Sequence, residues 1–198
     1  MKSMIRIGIL GDIGSGKSFI AKSFGYPVFN ADNEVGNLYK NDEKIFKKLK
    51  KELPHYFISF PIKKKDVSFA ILDNRTNLKK IVKIVHKEIK KKMKIFLKKN
   101  KSKKFIILDI PLLLENKINN KNDILIFVKT KKSQVLKRLK KRENFNNELI
   151  KKFRDIQLPL DYKKKKSQFV IKNDFKRKTV FKYVKYILNK INNERNSS

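Results

Sequence analysis

Gly11-Asp12-Ile13-Gly14-Ser15-Gly16-Lys17-Ser18 is the stretch that decides the fold of this chain. It has the spacing Gly-x-x-x-x-Gly-Lys-Ser of a phosphate-binding P-loop, a glycine-rich turn between a strand and a helix. The apolar run 5–10 before it predicts a buried strand, and the apolar spacing in 19–24 predicts a helix that ends before Gly25 and Pro27. The flanking segments therefore agree with the motif, although a glycine-rich turn that binds nothing is the alternative.

The residue types of this stretch suit the binding of a nucleoside triphosphate. Glycine lets many backbone N–H groups approach the phosphates closely, and the start of the helix directs its positive dipole end at them. Lys17 adds a mobile ammonium for the terminal phosphates, and the Ser18 hydroxyl is placed to bind magnesium. The predicted nucleotide-binding residues of this segment are Gly11, Asp12, Ile13, Gly14, Ser15, Gly16, Lys17, Ser18 and Phe19.

Length and composition bound the class of protein. With 198 residues, of which 40% are hydrophobic, the chain can bury one sizeable core with one inserted subdomain. No apolar run approaches the ~20 residues of a membrane span, and no signal-peptide region precedes the first strand, which favours a soluble cytoplasmic protein. The lack of cysteine excludes disulfides and thiolate metal sites, and two histidines, His55 and His86, are too few for a histidine-built metal site.

The net charge of +34 raises the question of a nucleic-acid partner. Most of the 52 basic residues are lysines, spread over nearly every predicted helix beside abundant Asn, Ile and Phe, a composition typical of an AT-rich genome. We therefore expect no specific nucleic-acid partner, and only weak, sequence-blind and salt-sensitive binding to DNA. Against this lysine bias, the three arginines Arg138, Arg142 and Arg154 indicate a need for a planar, two-pronged donor.

A second short strand is predicted for 28–32, and it ends in the carboxylate of Asp32. In a parallel sheet that end lies on the same edge as the P-loop. Asp32 therefore either faces a substrate or caps the helix that follows through Val35, Leu38 and Tyr39.

Residues 41–101 show helical spacing and no evident strand, which predicts a helical insertion on an α/β core. Short helices are predicted around 45–49 and 67–72, with an aromatic-rich connection at 54–61. A long helix is predicted from about Thr76, with an apolar stripe of Leu78, Val82, Val85, Ile89, Met93 and Phe96. His86 lies one position from that stripe, where a partly buried structural histidine is the simplest interpretation.

The remaining strands are predicted at 105–109, 124–128 and 169–171, with helices at 133–142 and from the last strand to about Ile191. Asp109 ends its strand in the way that directs an acid at bound magnesium. Alternating strands and helices predict a parallel, doubly wound sheet in a three-layer α/β/α fold. The predicted nucleotide-binding core is 1–40 and 102–198, and the insertion is 41–101.

Arg138 and Arg142 are four residues apart and so share one face of the predicted helix, where two arginines suit a triphosphate. The segment 144–159, within a lid of about 143–160, has Asn146 as a plausible N-cap and Arg154 and Gln157 further on. It is predicted to close over the nucleotide, and an ordinary basic surface helix is the alternative.

Taken together, these motifs resemble the dephospho-coenzyme A kinase family over nearly the whole chain. The resemblance rests on the P-loop at 11–18, on five further segments and on their order along the chain. These segments are Asn30-Ala31-Asp32, Ile84-Val85-His86, Leu108 to Glu115, Arg138-Leu139-Lys140-Lys141-Arg142, and a closing segment with Gln157, Pro159, Lys163, Phe169-Val170-Ile171 and Asn173.

The resemblance implies a P-loop kinase with a nucleotide core, a helical coenzyme-binding domain and a lid. ATP, with Mg²⁺, would phosphorylate the ribose 3′-hydroxyl of dephospho-coenzyme A. Apart from the resemblance, we expect a monomer that needs no specific nucleic acid and no membrane. By this analogy Asp32 contacts or deprotonates the hydroxyl, and Lys17, Arg138 and Arg142 hold the transferring phosphate. Asn173 lies near the adenine of ATP, and magnesium is held by Ser18 and Asp109. Substrate contacts are expected from Asp32, His86, Asp109, Pro111 and Leu112.

Four positions depart from the family pattern. Asp12 stands where a second glycine is usual, and its carboxylate would weaken nucleotide binding by like-charge repulsion unless it points outward. The other departures, Gly36, Lys87 and Gln168, bear on the details of substrate affinity.

Overall fold

The computed structural model describes residues 4–143 and 145–196, without the side chains of the last two. Asn144, at the predicted start of the lid, lies outside the described residues. The helices and strands follow one another as β1 Ile5–Gly11, α1 Lys17–Ser23, β2 Val28–Asn30, α2 Ala31–Asn41, α3 Glu43–Glu52, α4 Lys64–Asp73, α5 Asn77–Lys99, β3 Phe105–Asp109, β4 Ile124–Lys129, α6 Lys132–Lys140, α7 Asn147–Asp155, α8 Leu160–Lys165, β5 Phe169–Lys172 and α9 Arg177–Asn196.

The five described strands form one sheet in the order β2-β3-β1-β4-β5. β1 lies in the middle and pairs in parallel with β3 on one side and β4 on the other, and β4 pairs in parallel with β5. The connection after β1 leads to β2 on one side of the sheet, and the connection after the neighbouring β3 leads to β4 on the other side. The carboxyl ends of β1 and β3 therefore form the topological switch point where open α/β sheets bind ligands. The P-loop begins at the carboxyl end of β1, so the predicted parallel fold and the placement of the motif are confirmed.

Both faces of the sheet are covered, which confirms the three-layer arrangement. On one face, Ile7 and Ile9 of β1 join a core with residues of α1 and α9. On the other face, α8 packs against β1, and a Cβ atom built on Gly8 would lie 2.5 Å from Leu113 Cδ2 and 2.9 Å from Leu125 Cδ2. The chain after β3 therefore lies directly on β1.

The described chain divides into two compact units. The nucleotide unit is 1–29, 100–145 and 158–198, and the helical unit is 30–99 and 146–157. These bounds differ from the predicted 1–40, 41–101 and 102–198 for two reasons. Helix α2 packs on α3 and α5, so the helical unit starts before residue 41. Helix α7 packs on α4, where the Lys152 ammonium donates to the Leu72 carbonyl over 2.7 Å.

The long helix α5 supports the helical unit. Its buried apolar residues are Leu78, Ile81, Val85, Ile89 and Met93, at spacings of three and four. Ile81 takes the place predicted for Val82, which is half-buried like Phe96. The predicted stripe was therefore right in period and one residue out at one position.

Two predicted segment ends were wrong. β2 ends at Asn30 rather than Asp32, because Asn30 is the N-cap of α2 and its side chain accepts a hydrogen bond from Asn33 N at 2.8 Å. Helix α6 ends at Lys140, so Arg142 lies in the following turn, where its N–H donates to the Leu139 carbonyl. In the part of the chain that the structure describes, no helix is long and apolar enough to cross a membrane.

Candidate active site

The P-loop backbone has the conformation that its glycines allow. Gly14 and Gly16 have φ values of 80° and 91°, in the left-handed region that L side chains rarely adopt. A Cβ on Gly14 would lie 2.9 Å from Leu139 Cγ, and one on Gly16 would collide with the Asn173 amide. Gly16 is also the N-cap of α1 and has no side-chain cap. Because the first N–H groups of a helix have no intrahelical partner, this turn is suited to bind an anion.

Lys17 begins α1, and its ammonium folds back over the loop. Its Nζ donates to the carbonyl oxygens of Gly11, at 3.2 Å, and Asp12, at 2.8 Å. These contacts hold a half-buried positive charge at the mouth of the loop. The ammonium is thus positioned on the same short segment that bears the backbone donors, as binding of terminal phosphates requires.

The Asp12 carboxylate, the main departure from the family pattern, is bound to the loop itself. Its Oδ1 accepts the N–H of Ile13 at 2.7 Å. This hydrogen bond between adjacent residues holds the Asp12 side chain against the backbone of the loop. The expected like-charge repulsion therefore acts from a fixed position, beside the loop amides.

The loop after β5 is fastened to the P-loop by Asn173, which is 3% exposed. Its Nδ2 donates to the Ser15 carbonyl at 2.8 Å, and its Oδ1 accepts the N–H of Phe175 at 2.9 Å. Thr130, just after β4, donates from Oγ1 to the same Ser15 carbonyl at 2.9 Å. The two neighbouring strand ends therefore hold the middle of the P-loop in place.

Arg138 and Arg142, predicted to bind phosphate, have different surroundings. The Arg138 guanidinium lies over the ring of Phe175, with its Cζ 4.2 Å from the ring centroid. Phe175 has a φ of 64° and borders Gly16. Arg138 is thus packed on a ring that borders the P-loop. Arg142 is exposed in the turn after α6 and can contact a bound ligand.

Asp109, Pro111 and Leu112 belong to the end of β3 and the turn that follows. Asp109 is 3% exposed at the carboxyl end of β3, beside β1, whereas Ser18 is exposed in the first turn of α1. Within 4–143 and 145–196, no group of three or more His, Asp or Glu side chains could hold a metal ion by itself. A hydroxyl and one carboxylate match the oxygen ligands of Mg²⁺, which usually completes its coordination with water and phosphate oxygens.

The other two predicted substrate residues, Asp32 and His86, lie in the helical unit. Asp32 is exposed in the first turn of α2, after the cap residue Asn30. His86 is half-buried on α5, and burial, together with the charge of Lys90, lowers its pKa. Since Asn30 performs the capping, the structure removes the N-cap interpretation of Asp32.

Sequence reasoning missed three features of the nucleotide unit. It gave no role to Thr130 or Phe175, although both follow strands that end beside the P-loop. It also named Glu115 and Lys163 only as matches to a family pattern, whereas the structure pairs them with a distance of 2.6 Å between Nζ and Oε1. For Thr130 and Phe175 the signal in the sequence was position, just after the carboxyl end of a strand, whereas nothing local in the sequence marks the pairing of Glu115 with Lys163.

The switch-point position of the loop, its left-handed glycines and its folded lysine define a class. The protein is an α/β nucleotide-binding protein of the P-loop kind.

Comparison with known proteins narrows this class. The dephospho-CoA kinase family matches residues 5–178. A dephospho-CoA kinase of Wolbachia pipientis wMel is 34% identical over 191 residues, covering 94% of this chain and 97% of the relative. The chain therefore belongs to the dephospho-CoA kinase family.

Two solved structures share the fold. TT1252 from Thermus thermophilus has a TM-score of 0.75 at 24% identity, with 96% of this chain and 98% of that chain covered. A dephospho-CoA kinase from Campylobacter jejuni has a TM-score of 0.58 at 24% identity, with 94% and 96% covered. The predicted three-layer P-loop fold thus agrees with experimentally solved proteins.

Proposed function

We propose that this protein transfers the γ-phosphoryl group of ATP to the ribose 3′-hydroxyl of dephospho-CoA, the last step of coenzyme A synthesis. The observation that carries the proposal is the family match over residues 5–178, which includes the P-loop at the sheet's switch point. Another small P-loop kinase and a basic nucleic-acid-binding protein, the alternatives from the sequence, are not favoured by this match.

On the donor side, the loop residues 11–19 hold the phosphates of ATP through backbone N–H groups, and Lys17 neutralises the terminal phosphate oxygens. Arg142 binds the transferring phosphoryl group from the turn after α6. Arg138 binds the same phosphoryl group or, through its stacking on Phe175, fixes the side chains beside the P-loop. Asn173 lies near the adenine, and its hydrogen bond to the Ser15 carbonyl ties the loop after β5 to the P-loop.

Ser18 and Asp109 would hold magnesium, which when bound would neutralise phosphate charge. The buried Asp109 carboxylate and the exposed Ser18 hydroxyl are oxygen donors of the kind this ion prefers. Asp109 also begins the turn that contains Pro111 and Leu112, so the same turn contributes contacts to the acceptor.

On the acceptor side, the Asp32 carboxylate accepts the proton of the 3′-hydroxyl. The hydroxyl oxygen then forms a bond to the γ-phosphorus of ATP, while the bond from that phosphorus to ADP breaks. His86, with its lowered pKa, is neutral at pH 7 and offers a hydrogen bond to dephospho-CoA rather than a charge. The enzyme acts as a cytoplasmic monomer and needs neither a membrane nor a specific nucleic acid. Its lysines are spread over many helices and act as a solvated surface.

An acceptor panel tests the proposal. The purified protein is incubated with ATP, Mg²⁺ and either dephospho-CoA, AMP, CMP or shikimate, and products are separated by mass. We expect dephospho-CoA alone to gain a phosphoryl group rapidly, and NMR of the product to place it on the 3′-oxygen. Efficient phosphorylation of another acceptor, with none of dephospho-CoA, would contradict the proposed function.

A substitution tests Arg142 in the same assay. Arg142→Lys keeps the positive charge but loses the planar fork that can bind two oxygens, so we expect kcat/KM to fall roughly 10- to 100-fold. Arg177→Lys, an exposed arginine at the start of α9, is the matched control and should retain activity. Equal activity of the two variants would make Arg142 an ordinary surface charge.

A further inference from the structure

Glu115 and Lys163 form a buried ion pair in the nucleotide unit. The Lys163 Nζ lies 2.6 Å from Glu115 Oε1, and the two side chains are only 1% and 9% exposed. Among the residues that the structure describes, Lys163 is the only buried lysine. Most other described lysines are exposed, so one full burial of this kind calls for a specific reason.

Stability alone is a weak reason. Removing two charges from water costs several kcal/mol for each ion, and well-packed apolar residues of similar volume are often at least as stabilising. The second carboxylate oxygen, Glu115 Oε2, is buried and has no hydrogen-bond partner among the described residues. A buried oxygen without a partner adds to the cost of burying the pair, so stability does not explain it.

The pair also holds a particular point of the backbone. Glu115 Oε1 accepts the N–H of Leu158 at 3.0 Å, in addition to the Lys163 ammonium. Leu158 is the first residue of the nucleotide unit after the segment 146–157, which carries α7 and the predicted lid residues Arg154 and Gln157. One carboxylate oxygen thus binds the chain where that segment ends.

Glu115 lies in a segment that is fixed on the sheet. It belongs to the turn after β3, which is closed by hydrogen bonds from Asn116 N to Leu112 O and from Ile118 N to Leu113 O. Leu113 is fully buried and lies against Gly8 of β1. Lys163 lies on α8, which also packs on β1. Asp109 ends β3 just before this turn, so the proposed magnesium ligand and the end of the segment share one support.

We propose that Glu115 and Lys163 are positioning residues that hold the carboxyl end of segment 146–157. When nucleotide binds, the segment with Arg154 and Gln157 rotates about a fixed hinge at Leu158. The proposal rests on the proposed function for its kinetic readout. The pair touches no substrate and acts through the backbone at Leu158. Motion of 146–157 ends at this anchor, and residues from 158 onward stay in place.

The kinetic test replaces the pair by apolar residues, Glu115→Leu together with Lys163→Met. We expect an unchanged or higher melting temperature and a fall in kcat/KM for ATP of roughly 10- to 100-fold, as for a small misplacement of reacting groups. The matched control is a second buried ion pair of this unit, Arg6 and Asp123 at 2.9 Å, replaced as Arg6→Met with Asp123→Leu. Its activity should stay close to wild type. Wild-type kcat/KM in the Glu115/Lys163 double variant would overturn the proposal.

A second measurement needs no variant and no turnover. Hydrogen exchange of the wild-type protein is followed with and without a non-hydrolysable ATP analogue and Mg²⁺. We expect exchange in 146–157 to slow when the analogue is bound, whereas the Leu158 amide is protected in both states. Similar fast exchange at Leu158 and in 146–157, or changes that run together through both segments, would overturn the proposed hinge. If wild-type protein failed to phosphorylate dephospho-CoA, the proposed function would fail while this measurement still tested the hinge.

Discussion

Asp32→Asn is expected to lower kcat by roughly 10²–10⁴-fold, the usual effect of removing a general base. Asparagine has the same shape but lacks the basic carboxylate oxygen. The structure makes this change a clean test, because Asn30, and not Asp32, caps α2 through its contact with Asn33 N. A loss of activity would therefore not arise from a lost cap.

Stability should change little in Asp32→Asn. Asp32 is exposed in the first turn of α2, where a negative charge interacts with the helix dipole by about 0.3–1 kcal/mol. Glu34→Gln, in the same turn, removes a similar charge and is the matched control; its kcat should remain near wild type. Steady-state kinetics with dephospho-CoA and a melting curve give both quantities. Wild-type kcat in Asp32→Asn would remove Asp32 from the proposed chemistry.

Lys17→Ala is expected to reduce kcat by roughly 10²–10³-fold, comparable with the loss of one preorganised donor to developing charge. The ammonium is held by the carbonyls of Gly11 and Asp12, at 3.2 and 2.8 Å, directly on the phosphate-binding loop. Water that replaces it carries no charge and must be oriented during the reaction. The predicted effect is therefore on the phosphoryl-transfer step as well as on ATP binding.

The fold should survive this substitution, since the Lys17 side chain contacts loop carbonyls and is half-buried rather than part of the apolar core. Lys22→Ala provides the control within the same helix, because Lys22 is an exposed lysine in the last turn of α1. Its activity should be close to that of the wild-type protein. Unchanged turnover of Lys17→Ala, measured with saturating ATP, would remove the P-loop from the mechanism.

Several parts of the protein could be predicted because their signals are local. The P-loop is one continuous motif, and the apolar runs of β1, β3 and β4 show buried strands by composition alone. Helix α5 shows its apolar side through spacings of three and four residues. The Asn146 cap of α7 was likewise predicted from its neighbours, and its side chain accepts the N–H of Leu149 at 2.9 Å.

Errors arose where two local preferences compete. Asn30 and Asp32 are both good N-cap residues, and their sequence does not say which one stands where the strand turns into the helix. Contacts settle this, because β2 ends at Asn30 and its side chain binds Asn33 N. In the same way, α6 stops at Lys140 although its basic pattern continues to Arg142. The roles proposed for Asp32 and Arg142 stay predictions.

Short-range patterns were thus enough for the fold class, the phosphate-binding loop and the order of strands and helices, since these depend on residues a few positions apart. Tertiary structure decided how the loop is held. Asn173 reaches Ser15 across 158 positions, and Glu115 reaches Leu158 across 43. Such contacts join segments that are distant in the chain and that only the fold brings together, and a buried polar group is stable only when its partner is in place. No periodicity in the chain encodes those partners, so the supports of the candidate site became visible only in the folded protein.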